Sequence, residues 1–221
     1  MRPKFGNDIT NRSNNNNRED DEDDDGTNGI PPHIARIGGT ITVPKIAGRG
    51  VIRVVGRCED AKENNMLDLS ECELMQVPDA VYHLMRNTEL KTCDLSSNVI
   101  KKIPPKFAIK FNFITDLNLS HNQMSKLPTE LADIGCLEVL DISYNSFIAL
   151  PQVCFKIPKL RILKANNNAI IEIDTEEMVA SDKLELVDLR HNPFTRVTQR
   201  KLLKAEVPYK IELSEFVEED W

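Results

Sequence analysis

The side chains best suited to metal ligation or covalent chemistry in this 221-residue chain are four histidines and five cysteines. His33, His83, His121 and His191 are scattered, and no H-x-x-x-H, G-x-S-x-G or glycine-rich phosphate loop accompanies them. Cys58, Cys72, Cys93, Cys136 and Cys154 are odd in number and contain no C-x-x-C pair, which fits neither a zinc site nor a disulfide framework. The sequence therefore offers no catalytic residue, no metal set and no cofactor site, and the chain reads as a non-enzyme. Recognition chemistry is better represented. Val139, Ile162 and Leu186 form an apolar set accompanied by Asp141, Tyr144, Lys164, Asp188, Arg190 and His191. An apolar centre with a charged rim and an aromatic is the anatomy of a protein-binding surface. The competing explanation is that strands expose apolar residues for β-propensity alone and that the acids are a solvated face.

Those residues are positioned by a repeat. ITDLNLSHNQMSKLPTELADIGC at 114–136 and LEVLDISYNSFIALPQVCFKIPK at 137–159 superimpose residue for residue over 23 positions each. The form L-x-x-L-x-L-x-x-N-x-L with such a period is the signature of a leucine-rich repeat. With the first leucine as position 1, positions 4, 6, 9, 11 and 14 should point inward. Position 9 runs Cys72, Asn98, Asn122, Asn145, Asn168 and Asn192, which gives six repeats spaced by 26, 24, 23, 23 and 24 residues. The asparagine column should be structural, because a buried amide can satisfy the turning backbone of its own and the neighbouring repeat. Positions 3 to 7 should form a short strand, and parallel stacking should give a concave sheet. Position 5 is then an outward acidic stripe (Asp68, Asp94, Asn118, Asp141, Asp188) interrupted by Lys164, and position 3 supplies Val139, Ile162 and Leu186. His121 and His191 share position 8, but three strand spacings of ~4.8 Å separate them, too far to share a metal. Prolines 78, 104, 128 and 151 follow position 14 and precede apolar residues three apart, predicting short convex helices or 3₁₀ turns. The fifth repeat departs, with Asp174 in the proline slot before TEEM. Cys72, Cys93, Cys136 and Cys154 all fall at core-type positions.

The fold class expected is α/β, a solenoid of about six repeats over 64–197 with a parallel concave sheet, short convex helices and an N-terminal helical cap. Residues 1–46 read as a disordered acidic arm and a linker. Residues 1–30 hold eight acids against four bases, including EDDEDDD at 19–25, too polar to offset the entropy of ordering. In 31–46, prolines and the Gly38-Gly39 pair punctuate too often for a stable element, although TITV could pair as a short strand. Residues 47–63 predict a capping helix, with Val51, Val54, Val55 and Cys58 on one face and Arg49, Arg53 and Arg57 on the opposite one. Residues 198–221 should close the array through Leu202 and Leu203, a possible edge strand YKIEL, and the acidic SEFVEEDW ending in Trp221.

Residues 64–197 resemble the intracellular leucine-rich-repeat class with an L-P step, the class of Ras-pathway scaffold and suppressor proteins. The basic helix, LDLSECEL at 67–74, six repeats and LRHNPF at 189–194 are similar in order to one small member of that class. The acidic arm lies outside the resemblance. The resemblance implies a non-enzymatic adaptor in intracellular signal transduction, without identifying its partner. A net charge of −7 argues against nucleic acid. No apolar run reaches the ~18 residues of a membrane span. With the reduced-thiol pattern and no apolar leader, a cytoplasmic or nuclear monomer binding a protein is expected. Two other readings stand beside this one. The chain could be an acidic, chaperone-like binder of basic proteins through 1–30, or a membrane-peripheral protein through the basic helix.

Overall fold

A strand of three residues is too short to hold itself, so each must borrow hydrogen bonds from its neighbours on both sides. In the computed structural model, which describes residues 35–37, 40–42, 49–174, 178 and 183–215, this is the rule throughout the repeats. Strands β3 (Met66–Asp68), β4 (Thr92–Asp94), β5 (Asp116–Asn118), β6 (Val139–Asp141), β7 (Ile162–Lys164), β8 (Leu186–Asp188) and β9 (Lys210–Glu212) form one seven-stranded parallel sheet in chain order. The register is strict, Leu67 opposite Cys93, Leu117, Leu140, Leu163, Val187 and Ile211 in turn. The chain returns through α2 (Asp79–Leu84), α3 (Lys106–Lys110) and two 3₁₀ turns, Thr129–Asp133 and Gln152–Lys156, each capped by a proline. The core between the sheet and these segments is continuous. A separate unit, Met1–Pro44, contains an antiparallel pair, β1 (Ala35–Ile37) with β2 (Thr40–Thr42). Within the expected linker, the TITV stretch that could pair as a short strand does so over Thr40–Thr42.

The asparagine column is the staple between repeats. Asn122 donates through Nδ2 to the carbonyls of Leu95 (2.9 Å), Leu119 (3.1 Å) and Ser120 (3.0 Å), and accepts at Oδ1 from the amide of Ile100 (3.0 Å). Asn98, Asn145, Asn168 and Asn192 repeat the pattern, each reaching back to positions 6 and 11 of the preceding repeat. Cys72 occupies the slot in the first repeat, where no earlier repeat exists to be reached.

The strands span only positions 3 to 5, because the chain turns earlier than the sequence pattern suggests. Position 8 takes the left-handed conformation in all six repeats, with φ of 53° at Glu71, 54° at Ser97, 53° at His121, 51° at Tyr144, 55° at Asn167 and 56° at His191. That conformation aims each position-8 amide at the position-7 carbonyl of the next repeat, as in His121 to Ser143 (3.0 Å) and Asn167 to Arg190 (2.9 Å).

Helix α1 (Arg49–Asn64) buries Val54, Cys58 and Ala61 and packs on β3. Arg53 and Arg57 do not form a free opposite ridge. Arg57 Nη1 donates to the carbonyls of Ser70 (2.5 Å) and Asp68 (3.2 Å) and sits 3.2 Å from Asp68 Oδ1, and Arg53 donates to Glu71 O (2.7 Å). Elsewhere in the array these position-5, -7 and -8 carbonyls accept backbone amides of the preceding repeat. The guanidinium groups thus replace the N–H groups of a repeat that is absent.

At the other end, α4 (Arg196–Lys204) begins at an N-cap in which Thr195 Oγ1 accepts the Thr198 amide (3.1 Å). Val197, expected inward at position 14, is therefore 63% exposed in the first helical turn, and Thr198 is buried instead. Leu202 packs inward, but Leu203, expected beside it, is 71% exposed, one helical step around. Cys136 is half-buried rather than core, because it ends its repeat beside the Gly135 turn, whereas Cys58, Cys72, Cys93 and Cys154 are buried. Residues 175–177 of the TEEM segment and residues 216–221, including Trp221, lie outside the described residues, whereas Met178 is buried.

Two outcomes follow from this packing. Asn122→Ala should cost about 3 kcal/mol, since it leaves a buried amide and several carbonyls unpaired; the urea midpoint at constant m-value reads it. A thiol reagent at neutral pH should label Cys136 alone in the native chain, because Cys58, Cys72, Cys93 and Cys154 are buried, and burial raises the Cys58 thiol to about 11, Cys154 to about 12 and Cys93 further still. Mass spectrometry counts the labelled sites.

Candidate functional site

The concave sheet exposes positions 3 and 5, and the turns beyond it expose position 8. Three of the apolar residues singled out from the sequence come together as a row. Val139, Ile162 and Leu186 are direct register partners on β6, β7 and β8, all half-buried. Tyr144 lies past the end of β6, is 46% exposed, and stacks on His121 with ring centroids 4.0 Å apart and planes at 11°. His121 holds position 8 in the adjoining repeat, the same column as Tyr144, but only Tyr144 and His191 of that column are among the site residues expected from the sequence.

The position-5 carboxylates and the Asn118 amide serve a different purpose from the one their outward position suggests. Each caps the corner where its strand ends, accepting the amide two residues on: Asp68 from Ser70 (2.9 Å), Asp94 from Ser96 (2.8 Å), Asn118 from Ser120 (3.0 Å), Asp141 from Ser143 (3.0 Å) and Asp188 from Arg190 (3.1 Å). This is the Asx turn for which Asp and Asn are suited. The acidic stripe is therefore first a set of corner braces. Asp141 Oδ1 also takes the Ser143 hydroxyl (2.6 Å), and its other oxygen lies 3.4 Å from Lys164 Nζ. Lys164, the one break in the stripe, cannot cap its own corner and leans on the preceding repeat's brace.

Asp188 and Arg190 are likewise engaged. Arg190 Nε and Nη2 donate to Asp188 at 2.9 and 2.7 Å, and Nη2 also lies 3.4 Å from Glu212 Oε2. Asp188 is only 5% exposed. His191 is exposed, and its amide donates to Ser214 Oγ (2.6 Å), which takes the place of a seventh position-7 carbonyl. Beside the apolar row, position 2 carries a ladder missed from sequence, in which Arg161 joins Glu185 (2.8 and 3.1 Å) and Glu138 (3.3 Å). The Glu185 bond raises the Arg161 guanidinium further and holds the Glu185 carboxyl below its ordinary value. The alternation of opposite charges at 138, 161 and 185 was the available signal.

What the arrangement can do is bind. The row Val139–Ile162–Leu186, the exposed Tyr144 and Lys164 lie on consecutive repeats, while Asp141, Asp188 and Arg190 hold the backbone that presents them. Among the described residues, no group of three or more His, Cys, Asp or Glu could hold a metal. No helix there is long and apolar enough to cross a membrane.

Comparison with known proteins agrees with this geometry. The leucine rich repeat family model matches residues 88–147. Mouse leucine-rich repeat-containing protein 20 is 29% identical over 167 residues, which cover 72% of this chain and 91% of that protein. Human geranylgeranyl transferase type-2 subunit alpha is 38% identical over 81 residues, 36% of this chain but 14% of that protein. Among solved structures, the Leptospira interrogans leucine-rich-repeat protein LIC12759 is similar with a TM-score of 0.51 and 24% identity, over 63% of this chain and 34% of that one. A TLR13–ssRNA13 complex is similar with a TM-score of 0.58 and 17% identity, over 68% of this chain and 21% of that one. The chain spans less than half of either solved protein, and these likenesses concern the fold.

Arg190 and Asp188 give the site a pH signature. Burial alone would raise the Asp188 carboxyl, but the Arg190 guanidinium and amide outweigh it and hold the carboxyl below its ordinary value. A depressed carboxyl stabilises the fold above its unfolded pKa of ~3.9, and that stability disappears as pH falls through the folded value. Arg190→Ala should therefore lower the urea midpoint at pH 7 and lower it much less in acid. An equal loss at both pH values would exclude the carboxylate as the source.

Proposed function

Because this chain is a leucine-rich-repeat protein, similar over most of its length to leucine-rich repeat-containing protein 20, we propose that it is a non-enzymatic adaptor that holds a protein partner against the C-terminal half of its concave face. The family is generally one of protein-binding scaffolds. The observation that carries the reading is the in-register row Val139–Ile162–Leu186, half-buried and open, with Tyr144 held outward in a left-handed turn beside it. Half-buried apolar side chains stand proud enough to be covered and are already partly desolvated, and an exposed aromatic provides an anchor at small entropic cost. Lys164 and His191 supply the polar rim. A role in signal transduction and a cytoplasmic location are part of this proposal, supported by the resemblance of residues 64–197 to the intracellular L-P class.

The two other sequence readings have less support. A membrane-bound basic helix would need Arg53 and Arg57, whose guanidinium groups are bonded to carbonyls of the first repeat. An acidic chaperone would work through 1–30, outside the described residues.

The test is Tyr144→Ala combined with Lys164→Glu, with proximity labelling of the wild-type and double-mutant chains in cells. The double mutant should lose specific labelled proteins while keeping its unfolding midpoint, since both side chains are exposed. Retention of the same set, with loss instead on deleting residues 1–30 and a steep dependence on salt, would select the acidic-arm reading.

A further inference from the structure

The two ends of the sheet are finished differently. At the first strand, Arg53 and Arg57 fill the carbonyls that a preceding repeat would have bonded. At the last strand, β9, the inner side is satisfied: the Lys210 amide donates to Glu185 O (2.9 Å) and Glu212 O accepts from the Leu189 amide (2.9 Å). In a parallel ladder that phase turns the amide and carbonyl of Ile211, the carbonyl of Tyr209 and the amide of Leu213 to the outer edge. Among the described residues no strand pairs with that edge. The apolar layer beneath it is also incompletely covered, since Phe194, Val207, Ile211 and Leu213 pack on the core but remain half-buried. Among the described residues this end of the solenoid has no cap.

We propose that the cap is a second copy of this chain, joined by antiparallel pairing of β9 with its symmetry mate about a two-fold axis at Ile211. The argument is self-complementarity, which an isologous interface requires. Centred on Ile211, the outward groups match one for one: each Ile211 amide meets the other chain's Ile211 carbonyl, and each Leu213 amide meets the other chain's Tyr209 carbonyl. The side chains follow the same register. Lys210 falls opposite Glu212 of the other copy, in the non-hydrogen-bonded positions where side chains approach most closely. Lys210 and Glu212 already lie 2.6 Å apart within one chain, so the pairing makes an alternating quartet of charge. On the core side Ile211 faces Ile211, and Tyr209 faces Leu213, covering the half-buried layer. A lysine on an edge strand ordinarily discourages pairing; here the register sets an acid against it. The two seven-stranded sheets become one. This departs from the monomer expected from the sequence, and it leaves the concave face free.

The full-length chain is tested by sedimentation over a broad concentration range, with Ile211→Pro, Lys210→Glu and Glu212→Lys variants. The wild type should reach twice the chain mass at high concentration. Ile211→Pro, which removes an edge amide that faces outward and is tolerable there, should remain monomeric with an unchanged circular dichroism spectrum. Lys210→Glu and Glu212→Lys should each be monomeric alone, because like charges then oppose, and should dimerise when mixed, because each restores the other's missing partner. Hydrogen exchange offers a measurement without substitution: the Ile211 and Leu213 amides should slow as concentration rises. A wild type monomeric throughout, or a dimer that persists in Ile211→Pro, would overturn the proposal. Charge variants that dimerise alone as readily as when mixed would overturn it as well.

Discussion

Everything in this fold depends on the sharing of backbone hydrogen bonds between strands that cannot stand alone. A three-residue strand forms too few bonds to offset the entropy of ordering it. It persists because its neighbours on both sides complete it and because an asparagine amide stitches each turn to the previous one. Stability is therefore a nearest-neighbour property, and the ends are where it is decided. The N-terminal end solves the problem with two guanidinium groups borrowed from a helix. The C-terminal end solves half of it, with Ser214 and Glu212 supplying acceptors to the sixth repeat while no described residue pairs with its own outer side.

The same economy explains why the polar residues of the concave face are poor guides to function. Asp68, Asp94, Asn118, Asp141 and Asp188 look like a recognition stripe when counted along the outward positions. In the structure they brace the corners where strands end. Position 5 is thus bound by local geometry, while the apolar row at position 3 carries no such duty and varies more widely, from Met66 through Asp116 to Leu186. A residue free of backbone obligations is the one available for a partner.

The repeat period and the buried apolar positions were legible in the sequence because each repeats a fixed physical demand six times over, and the asparagine column because it does so five times. The facing row Val139–Ile162–Leu186 followed from the same arithmetic. What was illegible came from terminal or singular events, where no second instance confirms the first. Val197 was placed inward by extending the period past the point where Thr195 caps a helix. Leu203 was paired with Leu202 although neighbours on a helix point apart. A helical wheel shows that the arginines of α1 share a side, and not that Arg53 and Arg57 meet a row of carbonyls. The stacking of His121 on Tyr144 depends on the left-handed bend at position 8, which the spacing of apolar residues does not encode.

The left-handed conformation at position 8 limits which side chains can diversify this surface. Branching at Cβ is poorly tolerated at φ near 55°, and the six occupants are Glu, Ser, His, Tyr, Asn and His, with no Val, Ile or Thr among them. Position 3, in extended backbone, holds Val139 and Ile162 without strain. The protein therefore writes its concave surface in two alphabets. Charge and rings are drawn from the bend, aliphatic contact from the strand, and a change of specificity through substitution is channelled along one or the other according to the chemistry it needs.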